Sequence, residues 1–132
     1  MAVINCPLCG RTLRAPAPEC PVCRGDLRPL AQVAALADEH FNKAVVLARA
    51  QQWHGAAESL AVTRALSPND VDAIVLLAKV RYRQRGGRRA EVRQLLERAL
   101  ELAPDREDVR SALEETARPQ RRARQGRQRR RR

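Results

Sequence analysis

Aromatic side chains are nearly missing from this chain, with one Phe, one Trp and one Tyr among 132 residues. Long β-branched runs are missing with them, which favours close-packed helices built from Ala, Leu and Val over a strand sandwich. Lysine is scarce too, occurring only at Lys43 and Lys79. No apolar run approaches the roughly 18–20 residues needed to span a bilayer, so no membrane contact is expected. The first residues, Met1 to Cys6, lack a charged start followed by an apolar core, so no secretory signal is visible. The expected compartment is the cytoplasm, where thiols stay reduced. Catalytic patterns are lacking as well. There is no Ser/His/Asp set, no pair of carboxylates and no phosphate loop, because Gly86-Gly87 has no strand before it and no Lys-Ser/Thr after it. His40 and His54 are isolated and read as surface or packing residues. The chain is expected not to be an enzyme.

Positive charge is abundant but unevenly placed. Nine arginines and no acid fall within residues 118–132, and removing those nine from the net +11 leaves +2 for the rest. That tail carries Arg121, Arg122, Arg124, Arg127, Arg129, Arg130, Arg131 and Arg132. It has nothing with which to bury a core and is expected to be disordered. It suits nucleic acid or another polyanion through phosphate contacts without sequence readout, or serves solubility alone. No aromatic residue interleaves to stack on bases.

All four cysteines lie near the start, as Cys6-Pro7-Leu8-Cys9 and Cys20-Pro21-Val22-Cys23. The surroundings repeat at a spacing of 14, so that Leu13 matches Leu27. A two-residue gap lets both thiolates of a pair face one ion, and zinc takes four such ligands in a tetrahedron. Proline stiffens each turn, while Gly10 and Gly25 permit a positive φ. Disulfides would need export, and a thioredoxin-like pair would need a βαβ context that so short a segment lacks. Residues 1–28 resemble the short zinc-ribbon domain found at the head of many bacterial and archaeal proteins. The expectation is one structural Zn2+ on Cys6, Cys9, Cys20 and Cys23, with no coordination position left for chemistry.

The stretch from Leu36 to Pro104 reads the same way twice. The first pass runs through Phe41, Ala44, Leu47, Trp53, Ala56, Leu60, Leu66 and Pro68. The second runs through Ile74, Leu77, Ala78, a break at Gly86-Gly87, then Val92, Leu96, Ala99, Leu100, Leu102 and Pro104. Each pass is two amphipathic helical patterns closed by a proline, a unit that cannot bury its apolar face alone. This stretch resembles the tetratricopeptide repeat (TPR) family, most closely at Ala99-Leu100-Glu101-Leu102-Ala103-Pro104. It departs from the family's usual alanine at Thr63 and Val92, and it carries two extra residues around Gly86-Gly87.

The expected fold is therefore mainly α. A zinc ribbon at 1–28 leads with little linker into TPR-like antiparallel helix-turn-helix repeats with a capping helix at 29–117, followed by the disordered tail at 118–132. About five helices are expected: Pro29 to Gln51, Gly55 to Leu66, a third capped by Asn69 or Asp70 and running to Arg85, Arg88 to Leu102, and a fifth capped by Asp105. Two repeats and a cap fall short of the usual three, so self-association or a partner is one way to complete the stack. The resemblance implies a concave groove for another protein, at positions held here by Phe41, Val45, Arg49, Val75, Lys79, Tyr82 and Arg83. It offers an apolar floor and a basic edge, suited to a segment carrying some acid. Phe41 and Val45 would equally serve by packing on the neighbouring helix. Lysine and asparagine, which a chaperone-type carboxylate clamp needs, are replaced by Phe41 and Val45. Trp53 is expected in the turn between the first two helices. The overall expectation is a zinc-binding adaptor that holds a partner protein, the alternative being a factor that holds RNA or DNA by ribbon and tail.

Overall fold

The computed structural model describes residues 4–15, 17–84 and 89–118. Five helices follow two short strands: β1 (Ile4–Asn5), β2 (Thr12–Leu13), α1 (Arg28–Arg49), α2 (Trp53–Leu66), α3 (Val71–Arg83), α4 (Arg89–Leu102) and α5 (Glu107–Ala117). Each helix packs on the next in the chain. The expected Arg-rich tail beyond residue 118 and the Gly86-Gly87 turn lie outside the described residues.

The helix α1 begins directly on the cysteine-bearing segment, with Leu27 as its N-cap and Pro29 in its first turn. Its 22 residues make it about 33 Å long. It ends at Arg49, two residues before the Gln51 suggested by periodicity. The stop is a hydrogen-bonded cap in which Gln51 N–H donates to the Ala48 carbonyl and Gln52 N–H to the Leu47 carbonyl. Gln51 itself is left-handed at φ 58°, a place where glycine is usual.

The helix α2 returns antiparallel to α1. Gly55 lies beside Leu47, and the Thr63 hydroxyl near α2's other end donates to the Ser59 carbonyl at 3.1 Å and reaches the Ala37 carbonyl at 3.5 Å. Trp53 opens α2 as its first residue, two positions before the expected start at Gly55. It is partly buried against the core. The alanine row Ala44, Ala56 and Ala57 lets the two backbones approach closely, because short side chains set the interaxial distance.

The central helix is α3, between α2 and α4. Six of its 13 residues are buried, namely Ala73, Ile74, Val75, Leu77, Ala78 and Val80. Its start is secured by Asp70, whose carboxylate accepts from the Ala73 N–H at 3.2 Å. From the far side, α4 contributes Val92, Leu95, Leu96 and Ala99, and α5 closes the core with Val109. The N-cap of α5 is Arg106, and no side chain caps it, which corrects the expectation that Asp105 would. Glu107 and Asp108 do occupy its first turn, favourably for the helix dipole.

Candidate metal centre and basic cleft

The segment before α1 is built as two copies of one local structure. In the first, Cys6 N–H donates to the Arg11 carbonyl and Gly10 N–H to the Cys6 carbonyl. Adding 14 to each number gives the second, with Cys20 N–H to the Gly25 carbonyl and Arg24 N–H to the Cys20 carbonyl. The antiparallel pairing of Asn5 with Thr12 recurs in the same way as a bridge between Glu19 and Asp26. Leu13 and Leu27 are both buried beneath the cysteines, with Leu30 of α1 packed against them.

The two copies differ in one backbone detail. Gly10 takes the left-handed conformation at φ 74°, but in the second copy Arg24 does so at φ 59°, and Gly25 does not. Gly25 has a different function there. Leu8 from the first copy lies over it so closely that a Cβ at Gly25 would collide with the leucine Cδ1.

Folded this way, Cys6, Cys9, Cys20 and Cys23 bring all four sulfurs within 4.8 Å of one another, an arrangement that can hold a metal ion. Cys6 Sγ lies 3.7 Å from Cys23 Sγ, and Cys9 Sγ lies 3.8 Å from Cys20 Sγ. A disulfide would need about 2.05 Å, and the cysteines are free. Cys6 and Cys20 are buried while Cys9 and Cys23 are exposed, again matching across the repeat.

Electrostatics in this cluster is divided. The N–H groups of Cys23 and Val22 hold the Cys20 thiol down to about 6. The Gly25 N–H also lowers Cys23, but loss of water and the adjacent sulfurs of Cys20, Cys6 and Cys9 outweigh it, pushing Cys23 up to about 12. Crowded thiols resist ionising together, and a cation among them favours all four thiolates.

The residues expected to line a groove separate into two sets. Arg49 at the end of α1, with Lys79 and Arg83 on α3, line one surface cleft of about 270 Å³, together with Ala48, Gln51, Trp53, Leu76 and Val80. The other four lie elsewhere. Val75 is buried in the core and does not line the cleft, to which α3 contributes Leu76, Lys79, Val80 and Arg83. Phe41 is partly buried against the core and Val45 is partly buried, while Tyr82 is half exposed and lies outside the cleft lining. Periodicity alone misses Trp53 and Leu76, because their facing depends on where α2 starts and how α3 is rotated.

No acid lines this cleft. Elsewhere on the helices Arg81, Arg93, Arg98, Arg106 and Arg110 each stand within 4 Å of an acidic group. Among the described residues, Arg49, Lys79 and Arg83 have no such partner, and all three are exposed. Arg49 and Arg83 are the last residues of their helices, where each cation also steadies the negative end of a helix dipole. Compared with models of known protein families and with curated proteins, the chain finds no match.

Proposed function

We propose that this protein is a non-enzymatic adaptor in which a zinc-stapled segment leads into TPR-like helix pairs that hold an acidic segment of a partner protein. The metal identity rests on the ligand set and its dimensions. Four sulfurs at the corners of a tetrahedron around zinc, with bonds of about 2.3 Å, lie about 3.8 Å apart. Two of the sulfur pairs, Cys6–Cys23 and Cys9–Cys20, stand at 3.7 and 3.8 Å, and all four sulfurs lie within 4.8 Å of one another. Cys6, Cys9, Cys20 and Cys23 would hold the ion, and four thiolates close its coordination, so its contribution is to folding.

The observation that carries the binding reading is the convergence of Arg49, Lys79 and Arg83 on one cleft without a carboxylate. Like charges gathered this way repel one another, and an acidic partner relieves that cost. The antiparallel pairing of α1 with α2 supports the family resemblance, as does the neighbouring α3–α4 pair. Charge would then select the partner and speed its arrival, with apolar burial on Trp53, Leu76 and Ala48 adding affinity.

Nucleic-acid holding by the metal module is the weaker reading. Residues 1–28 carry Arg11, Arg14, Arg24 and Arg28 against Glu19 and Asp26, and a zinc with four thiolates would add two negative charges. The module as a whole is then close to neutral, which gives phosphates little to bind.

The test is a peptide array probed with the intact chain and with a Lys79→Glu, Arg83→Glu double variant. Acid-rich peptides should be retained by the first and lost by the second, with zinc content and helical circular dichroism unchanged. Equal retention by both would remove the cleft from the mechanism.

A further inference from the structure

We infer that the anchor this cleft takes is a phosphate monoester carried by a protein side chain, a phosphoserine or phosphothreonine of the partner. The inference rests on the reading of the cleft as the docking site and adds the chemistry of its ligand.

The chain itself sets the scale for what a single carboxylate needs. Arg28 grips Asp26 with two hydrogen bonds, Nε to Oδ1 at 2.9 Å and Nη2 to Oδ2 at 2.8 Å. Arg106 grips Asp108 in the same fork, with both bonds at 2.8 Å. Arg106 also reaches Asp72 through Nη1, so one guanidinium satisfies at least one carboxylate. The cleft gathers two guanidinium groups and one ammonium with no acid among its lining residues. The helix ends meeting here are the C-termini of α1 and α3 and the N-terminus of α2. Together they offset only about half a charge. A single carboxylate would leave about 1.5 positive charges in the cleft, whereas a phosphate monoester, with a charge of about −1.5 to −2 at neutral pH and three acceptor oxygens, leaves about 0.5 to 1. A phosphodiester brings only one charge, which disfavours a nucleic-acid backbone.

Size and lining agree. At about 270 Å³ the cleft lies below the roughly 300–1,000 Å³ of sites that enclose a whole small molecule. It has room for a phosphate and its carbon stem. Trp53, Leu76, Ala48 and Val80 supply apolar wall for that stem and the residue beside it.

Trp53 is the only tryptophan in the chain, so its fluorescence reports this cleft and not the arginine-rich tail. The experiment titrates the intact protein, at constant ionic strength, with a short phosphoserine peptide free of Trp and Tyr. Its unphosphorylated form, a triglutamate peptide, inorganic phosphate and oligothymidylate are titrated alongside. The phosphopeptide should shift Trp53 emission saturably, about tenfold more tightly than triglutamate or inorganic phosphate. Binding should strengthen from pH 5 to 7 as the second phosphate proton leaves near pH 6. Lys79→Gln with Arg83→Gln, both exposed positions, should abolish the shift while leaving circular dichroism unchanged.

If triglutamate binds as tightly as the phosphopeptide, the phosphate assignment falls and the acidic-segment reading stands. Equal binding of inorganic phosphate, or of oligothymidylate, overturns the assignment to a phosphorylated protein segment. If no titrant shifts Trp53, or the double variant responds like the parent, both the inference and the cleft reading fall.

Discussion

Arg106 joins the start of α5 to the start of α3, its Nη1 lying 2.8 Å from Asp72 Oδ1 across 34 residues of sequence. The same guanidinium holds Asp108 through Nε and Nη2. One side chain thus occupies the N-cap position of α5, secures that helix's first turn and ties it to α3. This ion pair is a direct polar link between α3 and α5.

That link predicts a pH dependence. Arg106 beside it holds the Asp108 carboxyl down to about 2, below its ordinary 3.8. A folded-state pKa that is depressed contributes stability above the unfolded value and loses it as pH falls through the folded one. Arg106→Ala should therefore lower Tm at neutral pH. The difference from the parent should shrink between about pH 4 and pH 2, as followed by thermal melts across that range. A deficit that stays constant down to pH 2 would assign Arg106 a packing contribution instead.

The metal centre makes a second prediction. Elemental analysis should find one zinc per chain. Cys20→Ser should release it and unfold the segment before α1, because structural zinc contributes on the order of 10–16 kcal/mol of apparent binding energy near neutral pH. Helical circular dichroism should remain, since the main core shares no residue with the cluster around the cysteines. Retained order in residues 4–27 without metal would contradict the zinc reading.

The unequal backbones of the two cysteine turns give a third. A left-handed conformation costs a non-glycine residue about 1 kcal/mol. Gly10→Ala should thus weaken zinc affinity about fivefold through backbone strain alone, because a Cβ there meets nothing within 4 Å. Arg24→Gly should change affinity in the opposite direction, since Arg24 already bears that strain at φ 59°. Competition against a chelator measures both. Equal affinities for all three proteins would mean that the turns relax without cost.

The tail supplies the fourth. If residues 118–132 bind nucleic acid, log affinity should fall with log salt by about 0.9 per duplex phosphate neutralised. A chain ending at Ala117 should lose most of that slope and keep its Tm. Unaltered nucleic-acid affinity on truncation would place any such binding elsewhere.

Much of this protein is legible without coordinates, and for a local reason. The cysteine spacing announces a four-sulfur cluster able to hold a metal because two residues between cysteines let both sulfurs of a pair face one point, and the repeat at 14 is written in letters and in hydrogen bonds alike. Helices are legible because apolar residues recur every three or four positions. The cap at Asp70 is legible because a short acceptor side chain stands at the cap position itself, whereas Asp105, one residue before the Arg106 cap, misleads. Gln51 ends α1 in a conformation that glycine normally signals, and Arg24 does the same in the second cysteine turn, so neither stop is visible in the residue types.

Tertiary structure decided which apolar residue is floor and which is core. Val75 and Leu76 are neighbours of similar character, yet the rotation of α3 between α2 and α4 buries the first and turns the second to the cleft. Trp53 could be assigned to a turn from sequence, but only the packed start of α2 sets it beside Arg49, Lys79 and Arg83. Sequence by itself determined the pairing of the cysteines, the number of helices among the described residues and the charges carried on their faces, because spacing and periodicity are properties of short segments. The meeting of those charges from α1 and α3 was decided by packing, which depends on the shapes of side chains far apart in the chain.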